Sequence, residues 1–130
     1  MTFLRLLELC YRYAYLHGRR SAGLRLRPEE VDHLGILARR LEGDPAGRRR
    51  KHRRFPVELP AAIKTGRGLA SCVVLDLSGA GMRVASTRGA AIGDTVQIKV
   101  GMADAVEYLF TCTVCHLEEH DERFVLGLRY

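Results

Sequence analysis

Apolar residues follow a helical period in the first third of the chain. Within residues 2–17 they recur at three- and four-residue steps, which places them on one stripe and predicts an amphipathic helix. The residues of this stripe are Leu4, Leu7, Tyr11, Ala14 and Tyr15. The next stretch, residues 17–23, contains two glycines and predicts a break in the helix.

A second helix is predicted from Pro28, because proline is favourable in a first helical turn. Glu29 and Glu30 follow it, near the positive end of the helix dipole. Apolar residues again recur at helical steps, at Val31, Leu34, Leu37, Ala38 and Leu41. Gly43 can cap this helix, and residues 43–47 then form a linker.

The hydrophobic period changes after residue 54, and the new alternation predicts strands. Val57, Leu59 and Ala61 occupy alternate positions in the first strand. Five further strands are predicted at residues 69–77, 81–86, 95–100, 105–119 and 122–130. Short strands separated by turns favour a mainly β fold, either an antiparallel barrel or a sandwich. We therefore expect a helical N-terminal extension and linker in residues 1–47 and a β domain in residues 48–130.

The positive charge is concentrated in one short run. The formal net charge of the chain is +6, and residues 48–54 contain six basic residues and no acidic one. Residues 55–130 contain 7 Lys and Arg against 9 Asp and Glu. A nucleic-acid-binding protein more often spreads basic residues over a face, and single-strand binders use aromatic platforms, whereas this chain has no Trp. Nucleic-acid binding through the basic run is therefore the weaker alternative.

The N-terminal segment does not resemble an export signal or a membrane anchor. Arg5, Glu8 and Arg12 interrupt its apolar part, so it contains no continuous hydrophobic region. We expect a cytoplasmic protein without membrane insertion, and its four cysteines to be reduced.

The stretch CTVCH, residues 112–116, formally matches a haem attachment motif. It lies inside a predicted strand, where Cys112 and Cys115 should point to opposite faces, a poor arrangement for haem or zinc. The histidines show no metal-ligand spacing, and no spacing favours a nucleophile–base–acid set built on Ser78. We expect no catalytic residue, no metal site and no cofactor, hence a protein that is not an enzyme.

The stretch DLSGAGMRV, residues 76–84, permits two interpretations. As a turn between strands, Asp76 and Ser78 bond nearby backbone, and Gly79 and Gly81 adopt φ angles that other residues avoid. As a binding element, it offers an acidic acceptor, a hydroxyl group and a glycine that lets a ligand approach the backbone.

Two motifs together resemble the PilZ domain family. Arg50-x-x-x-Arg54 leads into the first strand, and Asp76-x-Ser78-x-x-Gly81 follows at the end of the second. The ending FVLGLRY is also similar to the closing strand of that family. The resemblance covers residues 48–130 and implies a six-stranded antiparallel β-barrel that binds the bacterial second messenger cyclic di-GMP.

The resemblance also implies roles for the residues of both motifs. Arg50 and Arg54 are expected to hold guanine and phosphate groups, because a guanidinium pairs bidentately with both. Arg49 is expected to add a contact, to a second stacked ligand molecule. The second motif supplies the remaining ligand residues. Asp76 is expected to accept hydrogen bonds from the guanine N1–H and N2–H₂ groups. Ser78 is expected to bond a base or a phosphate. Gly81 is expected to permit close packing.

The chain departs from the family in the position of its helices. Many PilZ domains continue into a C-terminal helix, whereas here the predicted helices precede the barrel. Their apolar stripes must be buried, and we expect the barrel mouth, a second copy or a partner protein to cover them. Signalling would then combine ligand-dependent rearrangement with protein contacts. The alternative is a PilZ-like adaptor that binds no nucleotide and acts through protein contacts alone.

Overall fold

Two helices precede six strands in the part of the chain that the structure describes. The computed structural model describes residues 3–41, 53–101 and 107–130. The helices are α1 (Phe3–Ser21) and α2 (Pro28–Leu41). The strands are β1 (Phe55–Thr65), β2 (Gly68–Leu77), β3 (Gly81–Ser86), β4 (Thr95–Gly101), β5 (Glu107–His120) and β6 (Arg123–Arg129).

Helix α1 continues to Ser21, so the break predicted at residues 17–23 was wrong for the first part of that stretch. The helix ends beyond Ser21, where Gly23 adopts a left-handed φ of 80°. The amide of Leu24 donates to the carbonyl of Arg19 at 3.0 Å, and the amide of Gly23 donates to Arg20 at 3.1 Å. These two bonds form a Schellman cap, which terminates the helix at Gly23 rather than at Gly18.

The buried face of α1 differs from the predicted stripe. Leu7 is fully buried, but Tyr15 is 56% exposed. The buried side chains of this helix are Leu6, Leu7, Leu9, Cys10, Tyr13 and Leu16. In α2, the predicted residues Leu34, Leu37 and Leu41 are buried, whereas Val31 is exposed.

The six strands form a closed antiparallel barrel, which confirms the expected fold. Their order around the barrel is β1–β2–β3–β6–β5–β4, and β1 closes it by pairing with β4 as well as with β2. Alternate side chains point inward, so valine, leucine and isoleucine residues fill the interior. Each of these six strands therefore pairs with a neighbour on both sides.

Helix α1 lies across one mouth of the barrel. It contacts β2 and β5, which lie on opposite sides of the ring of strands. The ring of Tyr11 packs edge-on against Tyr108 and Phe110 of β5, with centroid distances of 5.4 and 5.5 Å. The barrel therefore buries the apolar face of α1.

Helix α2 is joined to the start of the barrel by a backbone hydrogen bond. The amide of Arg53 donates to the carbonyl of Leu41, the last residue of α2, at 3.0 Å. The guanidinium of Arg53 lies 5.0 Å from the centre of the Phe55 ring, a cation–π distance. The residue that precedes Arg54 is thus fixed to both α2 and β1.

Candidate functional site

One row of cross-strand partners runs over the outer surface of the barrel. Pro56 of β1 faces Asp76, Asp76 faces Arg83, Arg83 faces Gly127, and Gly127 faces His116. The row crosses five of the six strands. The neighbouring row, which contains Leu77, Met82, Leu128 and Val114, is buried in the core. Packing in the barrel core therefore fixes the spacing of the residues in this outer row.

Asp76 and Arg83 form an ion pair within this row. Nε of Arg83 lies 3.2 Å from Oδ2 of Asp76. The Asp76 side chain is only 12% exposed, whereas that of Arg83 is 47% exposed. The carboxylate is therefore held in place while its cationic partner keeps access to solvent.

Ser78 closes the turn between β2 and β3. Its Oγ accepts from the amides of Ala80 and Gly81 at 3.2 and 3.1 Å and donates to the carbonyl of Gly81 at 3.1 Å. Its own amide also donates to that carbonyl, at 2.9 Å. These bonds support the turn interpretation of the stretch.

Gly81 is required by close packing between β3 and β6. A Cβ added there would overlap the carbonyl oxygen of Leu128 and lie 3.0 Å from Cα of Arg129. The expectation of unusual φ angles at Gly79 and Gly81 was wrong, because the described glycines with positive φ are Gly23, Gly68 and Gly93. The space above Gly81 is filled by the backbone of β6.

The predicted site residues that the structure describes border one cavity of about 480 Å³. They are Arg54, Asp76, Ser78 and Gly81. This volume is in the range of small-molecule sites. Two predicted ligand residues, Arg49 and Arg50, lie outside the described residues.

Sequence reasoning missed several residues of this cavity. They are Arg83, Cys115, His116, Glu118, Gly127 and Arg129. Arg83 could have been found from hairpin register, because a turn closed by Ser78 and Gly81 places residue 83 opposite Asp76. His116 gave no such signal, because a bulge at residue 115 changes its register with β6.

Gly127 forms the floor between Arg83 and His116. A Cβ added there would lie 2.9 Å from Cβ of His116. The thiol of Cys115, in the bulge, donates to the carbonyl of Gly127 at 3.2 Å. The absence of a side chain at Gly127 therefore lets His116 of β5 pack closely against β6.

Two histidines hold the carboxylate of Glu118 at the edge of the cavity. Nε2 of His120 and Nε2 of His116 lie 3.1 Å from its Oε2 and Oε1 respectively. These two hydrogen bonds, from His120 and His116, lower the pKa of the Glu118 carboxyl. The Glu118 carboxylate is therefore hydrogen-bonded to the imidazole rings of both histidines.

A second cavity, of about 460 Å³, lies between α1 and α2. Tyr11, Tyr15, Glu30 and His33 are among the residues around it. None of the described residues of the two sequence motifs borders it. Nε2 of His33 is buried without a hydrogen-bond partner among the described residues.

The cysteine arrangement follows the prediction from strand geometry. Cys112 is buried and Cys115 is exposed, so the two thiols of the CTVCH stretch do not converge. Burial raises the pKa of Cys112 to about 12. In the part of the chain that the structure describes, no group of three metal-ligating side chains is found.

Neither described helix is long and apolar enough to cross a lipid bilayer.

The protein is a small closed β-barrel with a charged cavity on its outer surface. The chain belongs to the PilZ domain family, whose model matches residues 48–130. Among solved structures, the chain is similar to the PlzA protein of Borreliella burgdorferi in complex with c-di-GMP, with 20% identity and a TM-score of 0.47. That match covers 82% of this chain and 43% of the PlzA chain, so the chain spans less than half of that protein. No curated protein matches the chain.

Proposed function

We propose that the protein is a non-enzymatic receptor for cyclic di-GMP. The observation that carries the proposal is the convergence of Arg54, Asp76, Ser78 and Gly81 on one cavity in a PilZ family member. Arg54 directly precedes β1, whereas the other three residues belong to the β2–β3 hairpin, more than twenty positions further along the chain. The bacterial second messenger would reach the receptor in the cytoplasm, the location predicted from the N-terminal sequence.

Asp76 is suited to bind the Watson–Crick edge of a guanine. That edge presents the N1–H and N2–H₂ donors side by side, and a carboxylate can accept from both with its two oxygens. The low exposure of Asp76 limits competition from water. Arg83 already contacts Oδ2, so this ion pair must share that oxygen with the guanine or move away from it.

The arginines of the cavity are suited to the two phosphates of the ligand. Arg54, Arg83 and Arg129 border the cavity, and a guanidinium pairs with phosphate oxygens in a bidentate manner. Under this proposal Arg49 and Arg50 complete the cationic set. Cyclic di-GMP would then lie along the outer row, with its bases near Asp76 and the Gly127 floor.

Ligand occupancy can reach α1 through the end of β6. The amide of Tyr130 donates to the carbonyl of Ala80 at 3.1 Å, next to the Ser78 turn. Tyr13 and His17 of α1 border a small cavity together with Ala80 and Tyr130. We propose that residues 1–47 transmit occupancy of the barrel through this contact to a protein partner or a second copy.

Calorimetric titration with cyclic di-GMP, with GTP as the control ligand, tests the receptor function. We expect micromolar or tighter binding of cyclic di-GMP that Arg54→Ala and Asp76→Ala both abolish. The matched control is Lys64→Ala, because Lys64 is exposed on β1 and does not border the cavity. Absence of binding by the unmodified protein would overturn the proposal.

An adaptor that binds no nucleotide is the second candidate, and one observation favours it. Ser78 and Gly81 are both accounted for by the turn and by β6 packing. These motif residues would therefore persist in a barrel that had lost its ligand. The same titration separates the two candidates, because an adaptor would release no heat with cyclic di-GMP.

A further inference from the structure

The exposed face of α2 carries charged and apolar residues that are complementary to the same face of a second copy of the protein. Its residues follow the helical spacing of one face and lie opposite the buried residues Leu34, Leu37 and Leu41. They are Pro28, Val31, Asp32, Gly35, Ile36 and Arg39. Val31 is 48% exposed and Ile36 is 44% exposed. Because an α-helix has about 3.6 residues per turn, Asp32 and Arg39 lie at nearly the same angle around the helix axis, near the middle of this face, and the apolar residues Val31 and Ile36 lie at its two margins.

The two charges on this face have no ion-pair partner among the described residues. Asp32 and Arg39 are exposed, and neither belongs to an ion pair of the described part of the chain. The other acidic residues of α2 differ, because Glu29 and Glu30 contact Arg27, and Glu30 also contacts Arg19. Arg39 follows Asp32 by seven positions, about 10.5 Å along the helix axis, so the two do not form an ion pair with each other.

We infer that two copies of the protein associate through antiparallel pairing of their α2 helices. In the two-fold register that places Asp32 opposite the partner's Arg39, Gly35 lies opposite the partner's Ile36. No atom lies within 4 Å of a Cβ placed on Gly35, so the position offers room for that isoleucine. One register therefore satisfies both the charges and the packing, and the two-fold axis repeats each contact.

The inference extends the protein-contact part of the proposed function, and its test requires no nucleotide. Two short helices bury a small area, so we expect a dimer that dissociates between micromolar and millimolar concentration. Added salt should weaken it, because salt screens the attraction between Asp32 of one copy and Arg39 of the other. Failure of this test would leave the proposed nucleotide binding unaffected.

Analytical ultracentrifugation of charge-reversal variants tests the pairing. Asp32→Arg and Arg39→Asp should each raise the dimer dissociation constant on the order of tenfold or more, because each places like charges opposite one another twice. An equimolar mixture of the two variants should recover association, because every charged contact in the heterodimer is again attractive. Gly35→Leu should also abolish association while preserving the helix, because it fills the space expected for Ile36.

The control variants are Glu119→Arg and Lys64→Asp, which make the same charge changes at exposed positions of the barrel. They should associate like the unmodified protein. A monomer at all concentrations would overturn the inference, as would undiminished association of Asp32→Arg and Arg39→Asp. If both variants are folded monomers by circular dichroism and their mixture stays monomeric, the antiparallel register is wrong.

Discussion

Nε of Arg83 lies 3.2 Å from Oδ2 of Asp76, across the ladder between β2 and β3. The pair connects a residue of the predicted ligand motif to a residue that the motif does not contain. Because Asp76 is nearly buried and Arg83 is half exposed, the arginine can hold the carboxylate and still offer its remaining N–H groups to an anion.

Replacement of Arg83 should weaken cyclic di-GMP binding without unfolding the barrel. We expect Arg83→Gln to lower the affinity on the order of tenfold, because it removes a cation beside the phosphates and the partner that orients Asp76. Calorimetry measures the loss of affinity. Lys64→Gln is the charge-matched control, because Lys64 is exposed at the end of β1 that lies away from the cavity. Tighter binding by Arg83→Gln would show that the arginine competes with the ligand and would contradict this role.

Substitution of Gly81 should destabilise the fold itself. We expect Gly81→Ala to lower the free energy of unfolding by about 2 kcal/mol or more, because its methyl group would overlap the carbonyl of Leu128. Urea unfolding measures the change. Gly66→Ala is the control, since nothing lies within 4 Å of a Cβ at that position. Equal stability of the two variants would show that β6 adjusts freely around Gly81.

The fold could be predicted from the sequence because its periodicities are strong. The alternation of Val57, Leu59 and later residues located all the strands within a few positions of their ends. Closure into a barrel could not be read from alternation, which is equally compatible with a sandwich, and it came from the family resemblance. The extent of α1 was missed because the Schellman cap at Gly23 decides it, and Gly18 is tolerated inside the helix.

The candidate site could be predicted only in part. Arg54 and Asp76 were recognisable because the family motif contains them, and the structure places both at the cavity. Arg83 and His116 are ordinary polar positions on their strands, and only the register of the ladders brings them into the same row. The turn at Ser78 could have placed Arg83 opposite Asp76, but the bulge at Cys115, which sets the register of His116, is not revealed by local propensity.

The four cysteines should differ sharply in reactivity. Burial raises the pKa of Cys10 and Cys112 to about 12 and that of Cys72 to about 11, whereas Cys115 is exposed. A thiol reagent at mildly alkaline pH should therefore modify Cys115 rapidly and the other three only after unfolding. Cys115→Ser should remove the rapid phase. Rapid modification of more than one thiol in the folded protein would contradict the burial of this core.

The same burial makes stability dependent on pH. A thiol with a raised pKa in the folded state stabilises the fold fully below the unfolded value of 9.0 and loses that contribution as pH rises toward the folded value. Stability from urea unfolding should therefore fall above pH 9.0, and Cys10→Ala should reduce the slope. A slope that this variant leaves unchanged would assign the pH dependence to other groups.

The most direct test of the central claim is a titration of isotope-labelled protein with cyclic di-GMP, followed through backbone amide NMR signals. The receptor proposal predicts the largest shifts at Arg54 and in residues 76–83, 115–118 and 127–129, which surround the barrel cavity. GTP at the same concentrations should leave these signals in place. Shifts confined to the cavity between α1 and α2, or no shifts at all, would contradict the proposal that the row from Asp76 to His116 is the nucleotide site.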